Sequence, residues 1–404
     1  MCHRNWIGLF LLGTINNLPY VIVTSAANTI ADSFGKKNLI GLVFGANVAL
    51  SVVVKTINGA FMLKVPYGIR YVINTVLMLI GLFGVAFAPS FWFSLVCIVF
   101  VGASSAFGEN VALGFLRLFP SKMVNAWSSG TGMAGVLGCV IYITFGCAVG
   151  AGGQNTEKLR HLTQYAFLLT SPAVAVYLFA YFLVIRVPAE KRNEEYGSHS
   201  NEEQEPILGG SHSVQGKPDT ADPPMVLPIT PPETKLRRIW RCFKLVRWLS
   251  VNLCVVYLFE YVAQGCAAKV RPKDEYHIGC PELYAGLSLC YQAGVFVSRS
   301  SVQLVQIKRV DILSVLQFFN MVLWVIDVHY KFLPVWSLPA LMIYVGLLGG
   351  ASYVNIFYWL LNDPKYPDQD RELCINIAAI FITVGIISGT VFETLLFSTW
   401  LKDD

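Results

Sequence analysis

The chain has 404 residues, of which 55% are hydrophobic and only 14% are charged, and its mean hydropathy is +0.55. This composition excludes an ordinary soluble protein and is typical of a polytopic membrane protein. The net charge of +5 is small for this length. Because the basic residues lie between apolar stretches and form no single patch, a nucleic-acid partner is not expected.

Eleven apolar stretches, each near the ~20 residues that cross a bilayer as a helix, predict eleven membrane spans. In chain order they are Trp6–Ile30, Leu39–Phe61, Tyr71–Ala88, Phe91–Leu116, Trp127–Gly150, Leu162–Val187, Leu245–Gly265, Glu282–Ser298, Ile312–Val328, Pro334–Leu360 and Leu373–Leu401. We therefore expect an all-α bundle, with an N-terminal six-helix unit at residues 1–187 and a C-terminal unit of about five helices at residues 241–404.

A polar segment, residues 188–240, separates these units and has the proline-rich, acidic composition of a disordered loop. Within it, Glu203, Ile207 and Leu208 fit the acidic dileucine pattern, which docks on a coat adaptor and sorts proteins to endosomes and lysosomes. A chance pair of aliphatic residues in an acidic linker is the alternative interpretation. The predicted cytosolic position of the loop favours the sorting signal.

The positive-inside rule predicts a cytosolic N-terminus and a cytosolic 188–240 loop. This orientation rests mainly on the basic residues that end the loop and begin the next span, namely Arg237, Arg238, Arg241, Lys244 and Arg247. Cys266 and Cys280 then fall in one loop on the opposite side of the membrane, where a disulfide persists more easily. They form a candidate disulfide.

Ionisable residues inside the spans point to function, because each costs about 2.5–3.5 kcal/mol in hydrocarbon on insertion scales. Lys55 and Arg299 are candidates to bind an anionic substrate, and Glu109 and Glu260 to pair with them or to carry a proton. Alternatively, Lys55 snorkels and the two glutamates are fixed salt-bridge partners. Asp327 lies at the end of its span and is predicted to be interfacial.

Uncharged polar residues in the spans are candidates to line a cavity. Such residues also serve as interhelical contacts in membranes, so both interpretations stay open. The sequence contains no GxxxxGK[ST], HExxH or GxSxG motif, and we expect no ATP-driven pump, no enzyme, no cofactor and no metal site. The cavity-lining candidates are Asn16, Asn17, Tyr20, Ser128, Ser129, Thr131, Tyr291, Gln292 and Asn355.

Several of these residues belong to longer runs that resemble the battenin family of lysosomal membrane proteins, nearly end to end outside the linker and the termini. The resemblance implies a major-facilitator-like fold, residence in lysosomes or late endosomes, and a role in glycerophosphodiester clearance, basic amino acids and luminal pH. The matching runs are Ile15–Tyr20, Ser104–Glu109, Trp127–Gly132, Phe259–Tyr261, Tyr291–Ser301 and Gly346–Asn355.

Two departures from the family pattern affect proton coupling. Val345 stands where the family has a glutamate, and Ile382 stands near a last-span aspartate. Together with the resemblance, the sequence predicts a lysosomal secondary transporter that exports a small polar metabolite, a glycerophosphodiester or a basic amino acid, with protons as candidate co-substrate. The alternative is a non-transporting scaffold or trafficking regulator that acts through the 188–240 loop.

Overall fold

The computed structural model describes residues 2–36, 39–120, 122–149, 156–188, 234–271 and 283–400. Every regular element within these ranges is a helix, as the apolar periodicity predicts. Ten of the described helical segments are long and apolar enough to cross a membrane. The described residues thus contain no β-strand.

Among the described residues, nine α-helices lie in the N-terminal half. Two of them, α4 and α9, continue into one π-helical turn each, at Asn58–Met62 and Ala180–Val184. The helices are α1 (Cys2–Ser25), α2 (Ala27–Ser33), α3 (Ile40–Val48), α4 (Ser51–Ile57), α5 (Tyr67–Ala86), α6 (Phe91–Phe115), α7 (Lys122–Val149), α8 (Thr156–Thr170) and α9 (Ala173–Phe179).

The described part of the C-terminal half contains five α-helices, which are α10 (Lys235–Lys269), α11 (Leu283–Ser300), α12 (Val310–Tyr330), α13 (Leu338–Asn362) and α14 (Asp368–Thr399). Helix α11 has 18 residues and corresponds to the predicted eighth span. Its polar content keeps it outside the ten most apolar segments. It lies between α7 and α13, where protein covers its polar positions.

The two halves pack internally and also face each other. Helix α1 packs on α7 in the first half, while α10 packs on α14 and α11 on α13 in the second. Small residues allow these approaches: Gly130 lies against the Phe10 carbonyl, and Gly346 against the Tyr291 carbonyl. Between the halves, α7 contacts α11 and α4 contacts α14.

The structure corrects the end of the predicted loop. Residues 235–240, assigned to the loop from composition, are the first turns of α10. Arg238 Nε and Arg241 Nη1 each lie 2.7 Å from a carboxylate oxygen of Asp370 on α14, and these contacts anchor the basic start of the helix. Residues 189–233, including Glu203, Ile207 and Leu208, lie outside the described residues.

Asp327, at the end of its span, is fully buried within the protein, and its Oδ2 lies 3.0 Å from Arg271 Nη1, so it is a buried ion-pair partner. Cys266 is a free, buried thiol on α10, which contradicts its bridge to Cys280. Cys280 itself lies outside the described residues.

Candidate functional site

Lys55 and Glu109 form an ion pair that also touches the C-terminal half. Lys55 Nζ lies 2.8 Å from Glu109 Oε2 and donates a second hydrogen bond of 3.0 Å to the Ala379 carbonyl on α14. Glu109 Oε1 accepts a 3.0 Å hydrogen bond from the Tyr353 hydroxyl on α13. Lys55 is only 2% exposed, so it does not snorkel to the interface.

Arg299 on α11 reaches across the same interface. Its Nη1 donates a 2.7 Å hydrogen bond to Thr131 Oγ1 on α7, and its Nη2 donates one of 3.1 Å to the Tyr257 hydroxyl on α10. The guanidinium carbon lies 4.2 Å from the centre of the Tyr353 ring. Arg299 Nε is buried and has no hydrogen-bond partner among the described residues. Tyr353 therefore stands between the Glu109 carboxylate and the Arg299 guanidinium.

Glu260 on α10 is 2% exposed and accepts a hydrogen bond from the Tyr291 hydroxyl through Oε1. Its other oxygen, Oε2, is buried without a hydrogen-bond partner in the described part of the chain. The Glu260 carboxyl group also interacts electrostatically with the Arg299 guanidinium. Gly349 of α13 faces the carboxyl group so closely that a Cβ at this position would collide with it. We call Lys55, Glu109, Glu260 and Arg299, with their tyrosine partners, the central cluster.

Two of the predicted cavity-lining residues make hydrogen bonds across the boundary between the halves, whereas Tyr291 bonds to Glu260 within the C-terminal half. Thr131 accepts a hydrogen bond from Arg299, and the Tyr20 hydroxyl lies 3.0 Å from the Tyr261 hydroxyl on α10. Tyr20 thus joins α1 to α10. The Trp127 indole supports this boundary by donating a 3.4 Å hydrogen bond to the Tyr353 hydroxyl.

Asn16 and Asn17 form a separate network inside the N-terminal half. Asn16 Nδ2 donates to the Ser105 carbonyl at 3.0 Å and to Asn17 Oδ1 at 3.2 Å. Asn74 Nδ2 on α5 lies 3.0 Å from both Asn16 Oδ1 and the Tyr177 hydroxyl. These contacts fit the interhelical alternative, because they satisfy the amides within one half.

The remaining candidates have different surroundings. The hydroxyls of Ser128 and Ser129 are buried without a hydrogen-bond partner among the described residues. Gln292 packs against Gly135 of α7, at the contact between α7 and α11. Asn355 Oδ1 accepts a 2.7 Å hydrogen bond from the Ile307 amide and thereby holds the α11–α12 connection, away from the central cluster.

Sequence reasoning missed a second set of charges, at the end of the bundle where α5 and α14 begin. Arg70 Nη1 lies 3.0 Å from Glu372 Oε1, and Arg117 Nη2 lies 3.6 Å from Glu372 Oε2. Arg70 is 1% exposed and Glu372 is 4% exposed. We call these three residues the terminal charge network. It joins α5 and the end of α6 to α14, and therefore crosses between the halves.

Single-sequence signals could not reveal this network. Arg70 and Arg117 have the appearance of ordinary topology cations at span ends, and Glu372 stands beside acidic residues that begin α14. Arg70 and Glu372 are 302 positions apart in the chain. The only available hint was that Glu372 precedes an apolar run directly, at a depth where an unpaired carboxylate is costly.

Solved structures establish the class of fold. The proton:xylose symporter XylE aligns with a TM-score of 0.66 at 12% identity, covering 99% of this chain and 91% of that chain. The Escherichia coli fucose:proton symporter FucP aligns at 0.60 with 15% identity, over 98% and 93%. A bacterial homologue of the human lysosomal transporter Spinster aligns at 0.57 with 14% identity, over 98% and 82%. The protein is thus a multi-span membrane protein with the major-facilitator fold.

Sequence relatives identify the family. The family described as CLN3 protein matches residues 7–401. Battenin of Dictyostelium discoideum is 38% identical over 99% of this chain and 96% of its own length. Battenin of Canis lupus familiaris is 29% identical over 96% of this chain and 89% of its own length. The chain belongs to the CLN3 family, and the resemblance to battenin proposed from its motifs is confirmed.

Proposed function

We propose that this protein is a secondary transporter of the lysosomal membrane, exporting a small polar solute by alternating access between its two halves. The observation that carries the proposal is the central cluster, in which intramembrane charges are held by contacts that cross the boundary. Lys55 bonds to α14, Glu109 to α13 and Arg299 to α7. Such contacts must change when the halves rock, so a solute that binds them can be coupled to the change of access.

The chemistry of the cluster favours a phosphate-bearing anion, such as a glycerophosphodiester, over a basic amino acid. The cluster holds two cations, Lys55 and Arg299, and two carboxyl groups, so its positive charge is in excess when Glu260 carries a proton. The unpartnered Arg299 Nε is a donor suited to a phosphate oxygen, and guanidinium–phosphate hydrogen bonds are among the stronger polar contacts. A bound phosphodiester would take over Lys55 from Glu109, and nearby tyrosine hydroxyls would meet the substrate hydroxyls.

Glu260 is the proposed proton carrier. Only one of its carboxyl oxygens has a hydrogen-bond partner, and the group lies almost fully buried within a membrane span. A carboxylate in such surroundings is costly unless a proton or a cation accompanies it. Movement of Arg299 toward a substrate anion would change the electrostatic surroundings of Glu260, and this would link proton transfer to substrate binding.

The terminal charge network is the proposed gate on one side. It holds α5 and α6 against α14 at the end where α1 begins. The distribution of basic residues in the sequence places this end in the cytosol. Export toward the cytosol would then require Glu372 to separate from Arg70 and Arg117. Lysosomal residence is supported by the family and by the dileucine-like segment Glu203–Leu208, through which we propose that a coat adaptor binds.

Efflux from proteoliposomes tests the function. Purified protein is reconstituted with a labelled glycerophosphodiester or labelled arginine inside at acidic pH, and efflux is compared with Glu260→Gln, Arg299→Ala and a control, Arg309→Ala. The Arg309 side chain is 75% exposed and far less constrained. We expect Arg299→Ala to lower phosphodiester efflux about 30-fold or more, because loss of a buried charged partner costs roughly 2–5 kcal/mol. Glu260→Gln should abolish the dependence on the pH gradient.

Each outcome separates one alternative. Arginine efflux without phosphodiester efflux would contradict the preferred substrate class but keep the transporter. Equal losses in Arg299→Ala and Arg309→Ala would remove the central cluster from the substrate path. If folded wild-type protein releases neither solute, the scaffold acting through the 188–240 loop becomes the better explanation.

A further inference from the structure

An apolar cleft of about 680 Å³ opens on the outside of the N-terminal half, between the start of α5 and the π-helical turn that follows α9. This volume lies within the ~300–1,000 Å³ typical of small-molecule sites. Its walls carry large apolar side chains that are strongly exposed, among them Ile69, Val72 and Phe182. In a membrane-spanning bundle such a surface faces lipid, so the cleft is continuous with the bilayer.

Local backbone geometry creates the cleft. The wide turn at Ala180–Val184 ends the helix, and Ile185 continues in an extended conformation with ψ of 137°. Tyr181 in this turn packs against Tyr71 of α5, with 4.2 Å between ring centres, and forms the inner wall. A Cβ at Gly68 would lie 3.6 Å from the Tyr181 hydroxyl, so a larger side chain at this position enters the cleft beside Tyr181. The cleft is therefore a formed feature with aromatic backing.

One cation stands at the cleft. Arg186 is the only charged residue among the described residues that line it. Its backbone is fixed by Asn5, whose Nδ2 donates to the Arg186 carbonyl at 2.9 Å and whose Oδ1 accepts from the Arg186 amide at 3.0 Å. Within the described part of the chain, no hydrogen bond or ion pair engages its exposed guanidinium. The backbone is anchored and the charge is available.

We propose that this cleft binds an anionic phospholipid, with an acyl chain along the apolar walls and the headgroup phosphate on Arg186. The occupant follows from the combination of surfaces: an opening to lipid, apolar walls, and a free guanidinium where the walls end. A phosphate is the natural partner of an unpaired guanidinium, and it takes two parallel hydrogen bonds from it. A free solute anion would gain nothing from Ile69, Val72 and Phe182, and a zwitterionic lipid would satisfy the cation less well.

Native mass spectrometry of the full chain in a neutral detergent tests the proposal, using phosphatidylglycerol and phosphatidylcholine as probes. We expect phosphatidylglycerol to bind more tightly. Arg186→Gln should weaken it roughly fivefold, the effect of one cation near anionic lipid, and weaken phosphatidylcholine much less, because its choline already balances the headgroup phosphate. The matched control is Arg309→Gln, which removes another exposed arginine and should change neither lipid.

Two variants fill the cleft and test its walls. Gly68→Phe and Val72→Trp place a large side chain in the opening and should each reduce binding of both lipids at least fivefold. Their thermal unfolding is measured in parallel, and the variant that keeps the wild-type unfolding temperature is the one compared. The proposal is overturned if the two lipids bind equally to wild type, if Arg186→Gln and Arg309→Gln weaken phosphatidylglycerol alike, or if a folded filled variant still binds it normally.

Discussion

Glu372→Gln provides a direct test of the terminal charge network. The substitution keeps the shape of the side chain but leaves Arg70, which is 1% exposed, without a charged partner. Breaking a buried ion pair by removing one partner costs about 3–5 kcal/mol. Arg117 is 24% exposed and can regain water, so we expect the lower end of this range, about 3 kcal/mol. If the lost free energy acts on the closed state, opening at this end rises on the order of 100-fold.

A cysteine introduced at Asn376 reports this opening. Asn376 lies four residues from Glu372 on the same face of α14, is 1% exposed, and packs against Gly59 of the N-terminal half. Alkylation of Asn376→Cys by a membrane-impermeant maleimide, followed by peptide mass spectrometry, measures how often the end opens while reclosing outpaces the reagent. We expect the labelling rate to rise on the order of 100-fold when Glu372→Gln is added.

A double variant separates gate opening from general damage. Arg70→Gln combined with Glu372→Gln removes both charges of the buried pair, so its unfolding temperature should lie closer to wild type than that of either single variant. Unchanged labelling of Asn376→Cys on addition of Glu372→Gln would refute the gate. Additive losses of stability in the double variant would refute the ion-pair argument on which the magnitude rests.

Two other substitutions probe separate parts of the molecule. Gly349→Ala should displace the Glu260 carboxyl and lower pH-driven efflux roughly tenfold, which is the effect of one lost buried hydrogen bond. The control Gly41→Ala places its methyl group in open space and should leave efflux unchanged. Equal effects of the two variants would contradict the close contact between Gly349 and Glu260. Asp327→Asn should destabilise the folded protein by about 3–5 kcal/mol in denaturant unfolding, because the buried Arg271 loses its carboxylate partner. The double variant Asp327→Asn with Arg271→Gln should lose less stability than Asp327→Asn alone. An equal or larger loss of stability in the double variant would argue against the ion pair.

Two charge clusters cross between the halves, and they differ in surroundings. The central cluster combines charges with tyrosine hydroxyls, and one oxygen of Glu260 has no hydrogen-bond partner among the described residues. In the terminal charge network, the Glu372 carboxylate is engaged at both oxygens by Arg70 and Arg117. This difference between the two carboxyl groups is the reason that the first cluster is the proposed substrate site and the second the proposed gate.

The sequence by itself determined the membrane class, the helical secondary structure and the family. A helix satisfies its own backbone hydrogen bonds, so an apolar run of about 20 residues is enough to specify a span without knowledge of its neighbours. Charges within such runs were recognisable for the same local reason, and Lys55, Glu109, Glu260 and Arg299 are indeed buried or half-buried at the boundary between the halves.

Partner choice was decided only by the tertiary structure. Position in the chain put Asp327 at a span end and made Cys266 a candidate for a disulfide, but only helix packing gave the first a buried arginine and left the second a free thiol. Arg70 meets Glu372 across 302 positions. Hydropathy records the cost of placing a charge in lipid, whereas the group that compensates this cost depends on which helices pack together, and that is a property of the whole fold.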